Sequence, residues 1–303
     1  MTELLPFDLT DIIHTELENQ RRSPDGLLHP STHLSGPLRH AMLDAGGAPK
    51  RRSNIVSEVT LMTGTMWHEW IGTTLKRLGL PVMMEVNLTP WLPAGWAGTA
   101  DLVVWNPHLG AWVLVDIKTQ KGEGMRFLSR SGAKQDHILQ TSAYWHALRK
   151  MGVVLARAIG VYYLPKNDTR SKGDVVEPLL IDFAPVPAKE LGLLMKGRGR
   201  SITGYLESLD SKAPKSAEQY DYWVTPALAA PEPREQKLYY DRASGSHEVK
   251  LVPHWSTGYC PYHEELCGCS LQSTEKIGAY APDGEYLPRK GYESIEPEVV
   301  PTS

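Results

Sequence analysis

Two aspartates and a lysine stand where apolar runs meet. Trp112-Val113-Leu114-Val115 reads as a core strand and leads straight into Asp116-Ile117-Lys118. Period-2 alternation sends Asp116 and Lys118 to one face and Val113, Val115 and Ile117 to the other. Asp101 opens the preceding run, Asp101-Leu102-Val103-Val104-Trp105. The turn-rich Asn106-Pro107-His108-Leu109-Gly110 lets the two runs pair as a hairpin. Two carboxylates and an ammonium then meet on one sheet face. Magnesium or manganese takes oxygen ligands in near-octahedral geometry, and Asp101, Asp116 and the backbone carbonyl of Ile117 can supply them. Such an ion polarises a phosphodiester and acidifies a bound water, while Lys118 stabilises the developing charge or orients that water. A strand-end salt bridge between Asp116 and Lys118 accounts for that pair equally well.

Further residues bear on the choice. His68 lies on the apolar stripe of a helical segment, so it faces a core that must also accept Asp101, Asp116 and Lys118. Buried carboxylates without partners are costly, so these groups should converge on one another or on a metal. Neutral imidazole suits such an ion. Gln140 and Tyr144 are four apart on a second helical segment and share one face, where they can hydrogen-bond a phosphate, the lysine or the attacking water; on spacing alone an ordinary amphipathic helix is the better reading. Glu85 is a candidate further ligand and is equally well read as solvent-facing.

The elements that must position these groups follow from periodicity. Residues 56–79 carry Leu61, Gly64, His68, Ile71, Leu75 and Leu78 at helical spacing, with Gly79 as a stop. Pro81 to Leu88 reads as a strand with Val82, Met84, Val86 and Leu88 on one side and Glu85 on the other. The Asp101–Thr119 hairpin follows, then a loop over 120–134, a helix over 135–151 and a strand over 154–164. A helix over 186–208 returns over the sheet. A short helix starts at Ser35, with Gly46-Gly47 beyond its end. The order is mixed α/β around one sheet. Three parts are expected: a lead-in over 1–55, a core over 56–208 and a loop-rich extension over 209–303.

Four ordered segments resemble the PD-(D/E)XK nuclease superfamily, in its RecB-like and CRISPR-associated exonuclease branch. They are Gly64-Thr65-Met66-Trp67-His68, Gly98-Thr99-Ala100-Asp101, Asp116-Ile117-Lys118 and Gln140-Thr141-Ser142-Ala143-Tyr144. The resemblance covers roughly residues 28–165. It implies a restriction-endonuclease-like core and a metal-dependent deoxyribonuclease, most often an exonuclease of recombination, repair or phage DNA processing. On the matching positions it implies that His68, Asp101 and Asp116 bind metal, that Lys118 is catalytic, and that Gln140 and Tyr144 belong to the site. Competing readings are a site-specific or structure-specific endonuclease and a catalytically idle DNA-binding subunit.

Cys260, Cys267 and Cys269 cluster late in the chain. Relatives of the resembled branch often hold an iron–sulfur cluster with one cysteine before the core and three after it. No cysteine precedes the core here. A zinc site of Cys260, His263, Cys267 and Cys269, with His254 as substitute, fits the ligand count better. Free thiols are the plainer reading.

The net charge is −3, so any nucleic-acid contact must use a local basic surface. Lys121, Arg126, Arg130 and Lys134, with Phe127 among them, are candidates to track a DNA backbone beside the site. A hydrophobic content of 41% and a charged content of 22% over 303 residues allow a sizeable core. No apolar run is long enough to cross a membrane. No phosphate loop of an ATP-driven motor is present, so beside DNA the protein is expected either to work alone or to act with a separate helicase or single-strand annealing protein. The acidic, polar N-terminus and the clustered cysteines point to a cytoplasmic protein.

Overall fold

The computed structural model describes residues 25–50, 55–166, 177–209, 221–227, 230, 234–241, 246–253, 275–280 and 286–288. Its contacts divide the chain into two units: residues 1–35 with 52–203, and residues 36–51 with 204–303.

The first unit is built on five strands: β1 Val82–Asn87, β2 Thr99–Asn106, β3 Ala111–Gln120, β4 Ile159–Pro165 and β5 Leu179–Phe183. They lie side by side in chain order. All neighbours are antiparallel except β3 and β4, which run parallel from Val115↔Gly160 to Gln120↔Pro165. A parallel pair needs a crossover, and two helices of this unit supply it. The core is therefore the mixed sheet flanked by helices that the sequence predicts. Helix α1 (Leu38–Ala45) belongs to the second unit; α2 (Ile55–Arg77) precedes the sheet, and α3 (Gly122–Ser131) and α4 (Gln135–Lys150) form the crossover.

Each sheet face buries an apolar helix stripe. On one face Trp67, Ile71 and Leu75 of α2 pack on Leu102, Ile117 and Leu164. On the other, Tyr144, Trp145, Ala147 and Leu148 of α4 pack on Leu88, Ala100, Val103, Leu114 and Ile159. Full burial of a side chain such as Leu114 or Leu148 contributes about 1.5–3 kcal/mol. The glycine stops act as expected. Gly79 has φ +73° and donates to the Lys76 carbonyl while Leu80 donates to Leu75, and Gly152 and Val153 close α4 in the same way.

Three local expectations are corrected. Residues 120–134 are not a loop; they contain α3, anchored by Met125 and Leu128 on Val161 and Tyr163, with Leu179 and Ile181 beside them. Gly122, Gly124 and Gly132 gave that stretch poor helix propensity, which packing on β4 and β5 overrides. The strand expected over 154–164 begins at Ile159. Leu155 makes a single bridge to Trp112, and the chain bends before β4 starts. The helix expected from Ser35 begins at Leu38, with Pro37 as its N-cap.

Helix α5 (Ala188–Ser208) accounts for the helix expected over 186–208. In the second unit, Trp223 of α6 (Asp221–Ala227) donates through Nε1 to the Gly46 carbonyl, and Arg39 of α1 donates to the Ala230 carbonyl. Within the extension read as loop-rich, the described residues include an antiparallel meander of β6 Arg234–Asp241, β7 Ser246–Pro253, β8 Glu275–Tyr280 and β9 Tyr286–Pro288. Among the described residues no helix is long and apolar enough to cross a membrane.

Candidate active site

The site forms where β2 and β3 part. Their ladder runs from Asn106↔Ala111 to Leu102↔Val115. One residue further, Asp101 and Asp116 would stand opposite one another. Instead the Asp101 carboxylate takes over a main-chain role: its Oδ2 accepts from the Ile117 N–H at 3.2 Å. Beyond that point β3 continues only with β4.

On β1 the same row is distorted. Met84↔Leu102 and Val86↔Ala100 pair, and Glu85, which faces Asp101 between them, does not. Glu85 has φ +48°, the single left-handed non-glycine residue described. The strain turns the strand over. Val82 and Met84 join the α2 face, whereas Met83, Val86 and Leu88 join the α4 face. The expected alternation, with Val82, Met84, Val86 and Leu88 on one side, is thereby corrected. A side chain held in this region costs on the order of 1–2 kcal/mol, and such strain clusters at functional sites. Here it comes with proximity: ligand atoms of His68, Glu85 and Asp101 all lie within 4.8 Å of one another.

His68 reaches the gap from α2. Its Nε2 is 2.8 Å from the Ile117 carbonyl, and since a carbonyl only accepts, Nε2 carries the proton. Nδ1 stands 3.5 Å from Asp101 Oδ2, where a proton or a metal cation between the two atoms would satisfy both. The Ile117 carbonyl, expected as a metal ligand, is here the acceptor for His68.

Asp116 is 1% exposed. Lys118 Nζ donates to its Oδ1 at 3.0 Å and stands 2.8 Å from Oδ2, yet no hydrogen bond is directed at Oδ2. Gln140 Nε2 also donates to Oδ1, at 3.4 Å. Burial pushes the Asp116 carboxyl above the usual carboxylate range, against the pull of Lys118, and Asp101 adds to the push. Burial alone would lower Lys118, but the carboxylates of Asp116 and Asp101 outweigh it and hold the ammonium above its ordinary value. The expected salt bridge is therefore present, near enough to Asp101 for that charge to act on both partners. Three converging ligands, close to the buried Asp116–Lys118 pair, fit a hard divalent cation. His68, Glu85 and Asp101 are the residues that would hold it; Asp116, expected as a further ligand, is not among the three whose ligand atoms lie within 4.8 Å of one another.

Burial and the Asp116 charge raise the Tyr144 phenol above its ordinary pKa, so it stays protonated, while hydrogen bonds with Gln140 and Ser31 oppose the rise. Tyr144 fits closely against Gly98: a Cβ there would stand 2.6 Å from the ring.

The chain matches a family model, described as the PD-(D/E)XK nuclease superfamily, over residues 11–267. The chain belongs to the PD-(D/E)XK nuclease superfamily. Two solved structures are similar at low identity. The crystal structure of SSO0001 is 14% identical with a TM-score of 0.41, over 70% of this chain and 91% of that one. The crystal structure of LHK-Exo in complex with dAMP is 13% identical with a TM-score of 0.42, over 61% and 91%. No curated protein matches the chain.

Around this PD-(D/E)XK site the remaining candidates separate. Lys121 caps α3, Arg126 and Arg130 lie one turn apart on it with exposed Phe127 between them, and Lys134 caps α4. Cys260, His263, Cys267, Cys269 and His254, the candidate zinc set, lie outside the described residues. Three neighbours of the site were not foreseen. Ser31 arrives on a single turn of π-helix, Pro30–Leu34, which Arg198 ties down through the His33 and Ser35 carbonyls. His137 and Tyr163 join α4 to β4, with Nδ1 and the phenol oxygen 2.7 Å apart. Nothing in their sequence spacing marks these contacts. Only the Gln140 register, one helical turn on from His137, could have drawn attention to it.

Proposed function

We propose that this nuclease hydrolyses DNA phosphodiesters with a divalent cation, magnesium or manganese, and works from DNA ends. The observation that carries the reading is the convergence of His68, Glu85 and Asp101 beside the buried Asp116–Lys118 pair. A cation bound there would polarise the scissile phosphate and acidify a water. The chain's own residues do the rest. Lys118, kept charged by two carboxylates, presents Nζ to the negative charge that develops on the phosphate. Gln140 holds Asp116 in place, and Tyr144, protonated and packed against Gly98, supports Gln140. Arg126 and Arg130, with Phe127, offer a basic, aromatic helix face to the backbone of the incoming strand. The exonuclease mode draws support from the Gln140–Tyr144 spacing, which resembles the RecB-like branch. A separate helicase or annealing protein would open the duplex or receive the product strand.

The test is cleavage of linear and of covalently closed circular DNA with magnesium, with manganese and with chelator. Loss of linear DNA alone, and only with metal, is the expected result. Nicking of closed circles would replace the end-dependent mode with an endonuclease, and no cleavage with either metal would reject the reading.

A further inference from the structure

His137 has no part in the ligand set, yet its surroundings fix what its ring can do. It lies on α4 one turn before Gln140, and its Nδ1 is 2.7 Å from the hydroxyl of Tyr163. Tyr163 is the β4 residue in register with Lys118. The Tyr163 side chain is wholly buried, and its oxygen already accepts from the backbone N–H of Lys134 at 3.3 Å. A buried hydroxyl proton left without an acceptor is costly, and His137 Nδ1 is the acceptor in reach. Tyr163 therefore donates to Nδ1, which must carry the lone pair. The ring proton is thereby placed on Nε2.

Nε2 makes no hydrogen bond among the described residues. The Asp136 carboxylate is 3.8 Å away, beyond hydrogen-bond length, and the ring is 15% exposed. Charge does not disturb the assignment. Burial pulls the His137 pKa down to about 4; Asp136 and Asp116 oppose the fall, and Lys118 and Lys134 assist it. At neutral pH the ring is uncharged and carries one N–H, on Nε2.

We propose that His137 is a further substrate-positioning residue, whose tautomer, set by Tyr163, presents Nε2–H to a phosphate oxygen of the DNA beside Lys118. This rests on the nuclease reading for its ligand, but the tautomer does not. A neutral donor here adds a directed hydrogen bond without placing a second cation beside Lys118, where repulsion would work against that ammonium.

Two measurements test it. The first is the tautomer, read from nitrogen chemical shifts in long-range nitrogen–proton correlation spectra of the histidine-labelled full chain. The expected result is Nε2–H for His137 in the wild type, shifting toward a mixture in Tyr163→Phe. A wild-type ring protonated on Nδ1 would overturn the inference whatever the protein does to DNA. The second is kinetics on a linear duplex. Glutamine can place an amide N–H where Nε2 stood, and asparagine cannot. His137→Gln is expected to keep kcat/KM within about 3-fold, while His137→Asn and His137→Ala lose about 10- to 100-fold, chiefly through KM. Glutamine as damaging as alanine, or asparagine the better of the two, overturns the positioning role. A wild type that cuts no DNA but shows the Nε2–H tautomer would reject the nuclease reading and, with it, the ligand named here.

Discussion

Replacing Glu85 by glycine should make the protein more stable without metal and less stable with it. Glu85 holds φ +48°, where a side chain costs on the order of 1–2 kcal/mol. Glycine removes that cost but adds about 0.5–1 kcal/mol of backbone entropy to be lost on folding. The net gain in chelator is about 0.5–1 kcal/mol, an upward shift of Tm by about 1–4 °C for a chain of this size. With manganese at about one hundred times Kd, the wild type gains about 2.7 kcal/mol by mass action. If Glu85 is a ligand, its loss weakens binding by at least about 10-fold, and the variant gains only about 1.4 kcal/mol or less. The order of stability then reverses. Thermal melts of both proteins, in chelator and across a manganese series, read the reversal directly. Glu85→Gln is the control: it keeps the strained backbone, so it should melt with the wild type in chelator and fall behind it in manganese. A Glu85→Gly protein less stable than wild type in chelator would refute the strain. Equal gains from manganese in all three would refute the ligand.

Other predictions follow from the same geometry. Gly98→Ala drives a Cβ to 2.6 Å from the Tyr144 ring, and should cost about 1–3 kcal/mol in chemical unfolding and lower the cleavage rate. The depressed pKa of His137 gives a pH signature. Above pH 6.5 the ring is neutral whether folded or not; as pH falls from 6.5 toward about 4 the unfolded chain binds a proton that the folded chain does not. Stability should therefore fall on the order of 2–3 kcal/mol across that window, and urea midpoints of His137→Gln should show a smaller fall. Replacing Arg126 and Arg130 together by alanine should weaken DNA binding about 10-fold and flatten its dependence on salt, as measured by fluorescence anisotropy at several salt concentrations.

Much of the site could be read from residue types because those types are expensive where they stand. A carboxylate inside an apolar strand, as at Asp116, or a histidine on a core-facing helix stripe, as at His68, has few reasons to be there. Gln140 and Tyr144 became candidates through the resemblance of their segment, since helical spacing alone does not set them apart from an ordinary amphipathic helix. Glu85 was legible only as a candidate, since one left-handed residue moved its strand's apolar side chains between faces, and no alternation rule anticipates that. Helix α3 was missed because its hold on the sheet depends on β4 and on β5, itself only five residues long. Ser31 meets Tyr144, and His137 meets Tyr163, through tertiary packing, across sequence separations that local patterns do not span.

The central claim is that the cluster around Asp116 is the seat of metal-dependent DNA hydrolysis. Its most direct test is release of nucleotide from an end-labelled linear duplex, titrated with manganese, for the wild type and for Asp116→Ala at equal folded concentration. The account predicts cleavage by the wild type that appears with the metal and vanishes with chelator, and a loss of at least about 1000-fold in the variant at every metal concentration. Wild-type cleavage that persists in chelator, or a variant that cuts as fast as the wild type, would contradict it.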